Sequence, residues 1–259
     1  MARFVPHEEK SLRHFGSSSR VLFESGQDYG VLSWNVFKSK KKNWFEDFQR
    51  LHAIYDVLLL QEAKINFQTQ ALDAFDLDYS WVFGESFALD RCGSSCGVLT
   101  GSRVHTRHAF NRHGPVREPL LNTPKSAAFS FYDIADSLEQ FLIINAHFVN
   151  FRSLKAFERQ LFQIAEILHA HKGPVLFAGD FNTWSIGRRE ALFACMKRQG
   201  MENVEFANET RRFLTLDYIF SRGLKIREAH LLHDIRSSDH TPLALWFRLN
   251  EASEGGYSL

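Results

Sequence analysis

At 259 residues, with 44% hydrophobic and 24% charged residues, the chain has the composition of a folded globular protein with a sizeable core. A net charge of +1 demands no polyanionic partner, and three cysteines (Cys92, Cys96, Cys195) are too few for a disulfide framework, which fits a reducing compartment. No run approaches the ~20 apolar residues of a membrane helix, and the first residues lack the apolar centre of a signal peptide, so a cytoplasmic protein is expected.

Residues 1–28 are mixed and polar and read as an arm laid over a single domain that spans 29–250. A strand is predicted over 29–36, then a lysine run (Lys38, Lys40, Lys41, Lys42) and a helix over 43–52. The apolar stretch 55–61 reads as a buried strand with Glu62 at its end, and 66–75 looks helical. Short β runs broken by Gly and Ser fill 79–110, followed by a loop containing Pro115, Pro119 and Pro124. Strands are expected at 127–134 and 140–148. A helix follows over 153–169, where Leu154, Phe157, Leu161, Ile164 and Leu168 fall at three- and four-residue steps.

Gly173 and Pro174 lead into a strand at 175–178, which delivers Asp180 and Asn182 one residue apart and so on the same face of an extended chain. A helix at 188–198, strands at 212–220, 225–233 and 243–248, and a frayed tail at 251–259 complete the chain. Strands outnumber helices and are often close in sequence. This pattern predicts an α/β (α+β) fold of mixed, largely antiparallel sheets with helices outside.

Polar groups recur at the ends of these strands: Asn35, Glu62, His147, the Asp180–Asn182 pair, and Asp239 with His240, while Asp217 places a carboxylate inside an apolar strand. Taken singly, each is more simply a solvated strand end, a turn or a cap. Together they are carboxylates, carboxamides and imidazoles that can converge on one sheet edge. That donor set favours a hard cation such as Mg²⁺, with histidines for proton transfer.

The ordered motifs Trp34-Asn35, Leu60-Gln61-Glu62, Asn145-Ala146-His147, Gly179-Asp180-Phe181-Asn182, Leu216-Asp217-Tyr218 and Ser238-Asp239-His240 resemble those of the endonuclease/exonuclease/phosphatase (DNase I-like) superfamily, over about residues 29–249. Val149-Asn150-Phe151 after His147 and Asp180-Phe181-Asn182-Thr183-Trp184 resemble its YafD-like bacterial branch.

The resemblance implies a four-layer sandwich of two packed sheets flanked by helices, and a Mg²⁺-dependent phosphoesterase (Mn²⁺ as the alternative ion). It implies Glu62 as principal metal ligand with Asn35 and Asp239 beside it. Asp180 would orient or deprotonate the attacking water, and Asn182 would donate to a phosphoryl oxygen. His240 would contact the phosphate under the control of Asp217, with His147 as general acid or phosphate ligand and Asn150 as a weaker phosphate contact. His147 stands where apurinic endonucleases carry tyrosine, and Phe37 where they carry an aspartate, so that specialism is disfavoured.

Nucleic acid is the expected substrate, because the lysine run and a basic segment from Arg103 to His113 are taken to flank the site. A small inositol- or lipid-type phosphate is the alternative enzyme substrate. An inactive module that only binds phosphorylated partners is the alternative outside enzymes. Gly93-Ser94-Ser95-Cys96-Gly97 fits the G-x-S-x-G pattern, but apolar β-type residues follow it where a nucleophile elbow needs a helix.

Overall fold

Alternation along the strands assigns one face of each to a neighbour sheet and the other to helices. The computed structural model describes residues 3–67, 78–89, 93–210 and 215–250. The first half contains β1 (Arg3–Phe4), β2 (Leu12–Phe15), β3 (Asp28–Asn35), α1 (Trp44–His52), β4 (Val57–Asn66), β5 (Ser80–Leu89), β6 (Ser94–Ser102) and β7 (His108–His113). The second contains β8 (Ser126–Asp133), β9 (Gln140–His147), α2 (Leu154–Ala170), β10 (Val175–Asp180), α3 (Ile186–Arg198), β11 (Glu202–Asn203), β12 (Asp217–Arg222), β13 (Leu224–Leu231) and β14 (Leu243–Leu249).

An eight-stranded sheet has the order β1-β5-β6-β4-β3-β14-β13, with β2 also paired to β5, and a six-stranded sheet has the order β11-β12-β10-β9-β8-β7. The pairs β3/β4 and β9/β10 are parallel and the rest are antiparallel. Each parallel pair is bridged by one helix, α1 and α2 respectively.

Val31, Val57, Leu59, Ile143, Leu176, Ala178, Ile219 and Leu245 meet between the sheets, joined by Phe23 from the N-terminal segment. The alternate residues Leu142, Ile144, Val175 and Phe177 turn outward onto Phe157, Leu161, Ile164 and Leu192 of α2 and α3. Leu32, Trp34, Leu58 and Leu60 turn the other way onto Phe48 and Leu51 of α1. The layers are therefore helix, sheet, sheet, helices, the four-layer sandwich that the motifs implied. Ser153 caps α2 by accepting from the Ala156 amide, and Ser185 caps α3 by accepting from Arg188.

Most boundaries shift by a residue or two; two differences from the sequence reading bear on the site, and one rejected motif is placed. Strand β4 does not stop at Glu62 but runs on to Asn66, with a register shift between Leu60 and Ala63 and Glu62 at a φ of 54°. The strand thus bulges at Glu62, a left-handed conformation that no periodicity announces. Asp217 opens β12 and does not lie inside an apolar strand, because β12 runs antiparallel to β10 and begins where β10 ends, pairing Asp217 with Asp180. The sequence Gly93 to Gly97 enters the buried strand β6, so the G-x-S-x-G match is no nucleophile elbow. The helix expected at 66–75 lies largely outside the described residues, since β4 reaches Asn66 and 68–77 are not described. Cys92, residues 212–214 and the 251–259 tail also lie outside them.

Candidate active site

The residues that alternate with the inter-sheet core become polar at one end of the sandwich. Val31 and Ser33 lead to Asn35, Ile143 and Asn145 to His147, Leu176 and Ala178 to Asp180, each on the inter-sheet side of its strand. Below them Gln61 donates to Asn145 Oδ1 at 2.9 Å, and Asn145 donates to the Leu99 carbonyl at 3.0 Å. This fully buried amide pair ties the two sheets together under the site, with Gln61 Oε1 left without a hydrogen-bond partner among the described residues.

Asp180 is the hub. It is 2% exposed, and its Oδ2 accepts from Asn35 Nδ2 at 2.9 Å, lies 3.3 Å from His147 Nε2 and 3.9 Å from His240 Nε2. Its Oδ1 accepts the Asn182 amide at 3.0 Å. Burial would raise this carboxyl's pKa, but the hydrogen bond and charge of His147, then His240 and Lys125, hold it well below the usual carboxylate range.

His240 Nδ1 lies 2.8 Å from Asp217 Oδ2. Burial works to lower its pKa. Asp217 above all, with Asp180 and Asp239, wins and pushes it up to about 10. The loop bearing it is fixed by Trp34 Nε1 donating to the His240 carbonyl at 3.3 Å and by Ser238 Oγ donating to the Asn35 carbonyl. Asn182, at a φ of 50°, donates one amide hydrogen to the Phe148 carbonyl at 2.9 Å, which leaves the other for a ligand.

Glu62 joins this chain through cations. Its carboxylate pairs with Lys38 and lies 4.0 Å from Lys125. Burial opposes ionisation, yet His147, Lys125 and Lys38 keep its pKa below the ordinary value. Lys125 reaches His147 Nε2 at 2.9 Å and Glu118 at 3.9 Å. The same His147 nitrogen faces Asp180, so it can accept from the lysine or donate to the carboxylate but not both, a junction suited to handing on a proton.

Asn35, His147, Asp180, Asn182, Asp217 and His240 therefore form one connected array, with Glu62 linked to it by Lys125. Asp239 is exposed beside His240, with its Oδ1 3.3 Å from Ser238 Oγ. Asn150 stands apart: its side-chain oxygen accepts the Phe151 amide at 2.9 Å and its backbone amide donates to Glu118 at 2.7 Å.

Among the described residues, Asp180, Asp217 and His240 offer donor atoms within 4.8 Å of one another. An imidazole that holds its proton has no lone pair for a metal, so this trio fits a proton and phosphate site better. Glu62, Asn35 and Asp239 offer oxygens alone, and Glu62 already draws two ammonium groups. Their chemistry fits a hard divalent ion.

Three groups carry no sequence signature. Lys125 and Glu118 sit in the proline-containing loop before β8, and a lone residue there has no spacing to betray it. Arg188, 1% exposed, donates to the Val149, Asn182 and Arg152 carbonyls at 2.8–2.9 Å and so binds the loops after β9 and β10 to each other.

A model of the Endonuclease/Exonuclease/phosphatase family matches residues 32–240, from the Asn35 strand to His240. The chain belongs to this family. A UPF0294 protein of Vibrio campbellii is 33% identical over 90% of this chain and 81% of its own length, and one of Erwinia tasmaniensis is 34% identical over 95% and 90%. An endonuclease/exonuclease/phosphatase from Beutenbergia cavernae has a similar fold (TM-score 0.68, 17% identity, 87% of this chain and 72% of that one). So does the human Nocturnin catalytic domain (TM-score 0.62, 18% identity, 93% and 99%). Among the described residues no helix is long and apolar enough to cross a membrane.

Proposed function

We propose that this family member is a divalent-cation-dependent phosphodiesterase. The observation that carries the reading is Asp180: a buried, ionised carboxylate fixed by Asn35 and flanked by two imidazoles, one of them held protonated by a second carboxylate. Such a carboxylate, ionised and fixed, can orient a water for attack. His240, positively charged and oriented by Asp217, would hold a phosphate oxygen, and the remaining amide hydrogen of Asn182 would donate to the oxygen where charge builds. His147 is the candidate donor to the leaving oxygen. An ion at Glu62, Asn35 and Asp239, Mg²⁺ or Mn²⁺, would neutralise phosphate charge when bound.

Nucleic acid as substrate retains one of its two supports. Lys38 pairs with Glu62 and Lys41 donates to the Ser238 carbonyl, so the lysine run does flank the site. The Arg103–His113 segment approaches it only at its His113 end. Strand β6 runs antiparallel to β4, so its last residue Ser102 pairs with Val57 at the far end, whereas Gly97 pairs with Ala63 beside Glu62. At the near end of β7, Arg112 is paired with Glu8 and His113 lies 2.8 Å from the Glu85 carbonyl.

The test is turnover of bis(p-nitrophenyl) phosphate and of labelled single- and double-stranded DNA and RNA, with Mg²⁺, with Mn²⁺ and with EDTA. EDTA-resistant turnover, or full activity in Glu62→Ala or Asp180→Asn, would sink the proposal.

A further inference from the structure

Leu120, Leu121, Phe151, Leu154, Trp184 and Ile186 are 39–91% exposed and make up half of the large apolar side chains exposed among the described residues. They stand at the catalytic edge, on the loop before β8, the loop after β9 with the first residue of α2, and the loop after β10 with the first residue of α3. The loops are stitched together. Arg152 Nε donates to the Arg117 carbonyl at 2.7 Å, Asn150 to Glu118, and Arg188 to Arg152 while lying 4.7 Å over the Trp184 ring. A Cβ at Gly187 would sit 3.5 Å from Leu154. At its other end the rim enters the site, because Leu121 lines one cavity with Glu62, Lys125 and His147.

Exposed apolar clusters on such a scale mark a surface that meets something. Four of the six are leucine or isoleucine, with no π face for bases to stack on. One face of Trp184 is already covered by Arg188, which leaves Phe151 as the one open ring and favours an apolar partner over a nucleic-acid strand. Arg117, Lys155 and Arg189 are exposed among them and Arg152 is half-buried, against Glu158 and Glu190. Apolar tips flanked by cations suit an anionic bilayer, with the tips at the acyl boundary and the cations among headgroups.

We propose that this rim docks the enzyme on an anionic lipid surface, and that its substrate is a phosphodiester presented at headgroup level. The second clause rests on the phosphodiesterase reading; the docking does not.

The experiment is vesicle flotation in EDTA, where no turnover contributes, with phosphatidylcholine vesicles and with phosphatidylcholine–phosphatidylglycerol vesicles. Wild type is expected to float with the mixed vesicles and less with the neutral ones. The exposed triple variant Leu120→Ser, Phe151→Ser, Ile186→Ser weakens that binding by at least about tenfold. Lys155→Gln with Arg189→Gln weakens it by about tenfold and only on the mixed vesicles. Both variants should turn over bis(p-nitrophenyl) phosphate like wild type, so that a dead soluble assay indicts the phosphodiesterase reading and leaves the docking result standing. Failure of wild type to float, undiminished floating of the triple variant, or loss in that variant of single-stranded oligonucleotide binding in place of vesicle binding would overturn the proposal.

Discussion

Replacing Arg188 by methionine tests whether one buried guanidinium fixes the relation between the His147 and Asp180 loops. The side chain donates to three carbonyls, Val149 at 2.9 Å, Asn182 at 2.8 Å and Arg152 at 2.8 Å, and packs over Phe157 and Trp184. Methionine keeps the packing and strands the oxygens, two of them in buried bonds, at about 1 kcal/mol each. Some of this is returned because a buried charge is removed, and the arginine's own Nε has no partner among the described residues. A net loss of about 2 kcal/mol follows, near 6 °C in melting temperature for a chain of this length. Arg188→Lys, with all its donors on one nitrogen in place of a planar fork, should fall between the two. Urea unfolding followed by circular dichroism reads the change. Because Asn182 is among the released groups, kcat should fall more than KM rises. A methionine variant within about 0.5 kcal/mol of wild type would refute the reasoning, since surface substitutions do no more than that.

Two further substitutions probe the strand ends. A Cβ at Gly179 would lie 1.9 Å from the Ala146 carbonyl oxygen, so Gly179→Ala must part β9 from β10. Loss of soluble folded protein is expected, and a variant with the wild-type melting curve would contradict the close approach. Asp217→Asn removes the main influence that raises the His240 pKa, leaving burial to lower it. Activity, insensitive to His240 through neutral pH in wild type, should then decline as pH rises through the neutral range. The same raised pKa makes the His240–Asp217 pair stabilising below pH 6.5 and lost between there and about 10, so the variant's unfolding free energy should vary less over that window. Matching pH profiles for the two proteins would exclude the pairing.

The layers were legible because the unbroken apolar runs at 55–61 and 175–178 need cover on both faces and the stripe over 153–169 offers a helix to supply it; which face meets the other sheet was not legible. The order of the polar ends was legible too, since two parallel pairs and their antiparallel partners bring carboxyl ends of some strands to the amino ends of others. What stayed hidden depends on contacts far apart in sequence. Lys125 meets His147 and Glu62 only after β8 and β4 are placed in different sheets, and Arg188 reads as an ordinary residue near a helix start until three carbonyls surround it. Arg103 misled for the converse reason. Its density of basic residues suggested a lip of the site, but the antiparallel register carries Arg103 to the far end.

The charges around the centre argue for a cation on their own terms. Glu62, Glu118, Asp180, Asp217 and Asp239 converge on it, against Lys38, Lys125 and protonated His240. An anionic diester entering that excess of carboxylate would be repelled, and in a buried setting the repulsion is little screened. On the proposed reading a divalent ion offsets that excess when the anion binds. Calorimetric titration of inorganic phosphate in EDTA should therefore show binding at least about tenfold weaker than in Mg²⁺, a coupling of ~1.4 kcal/mol. Glu62→Gln, with one carboxylate charge gone and the shape kept, should narrow that ratio by raising affinity in EDTA. Equal phosphate affinity with and without Mg²⁺ in wild type would mean that Lys38, Lys125 and His240 suffice, and that the carboxylates are balanced without an ion.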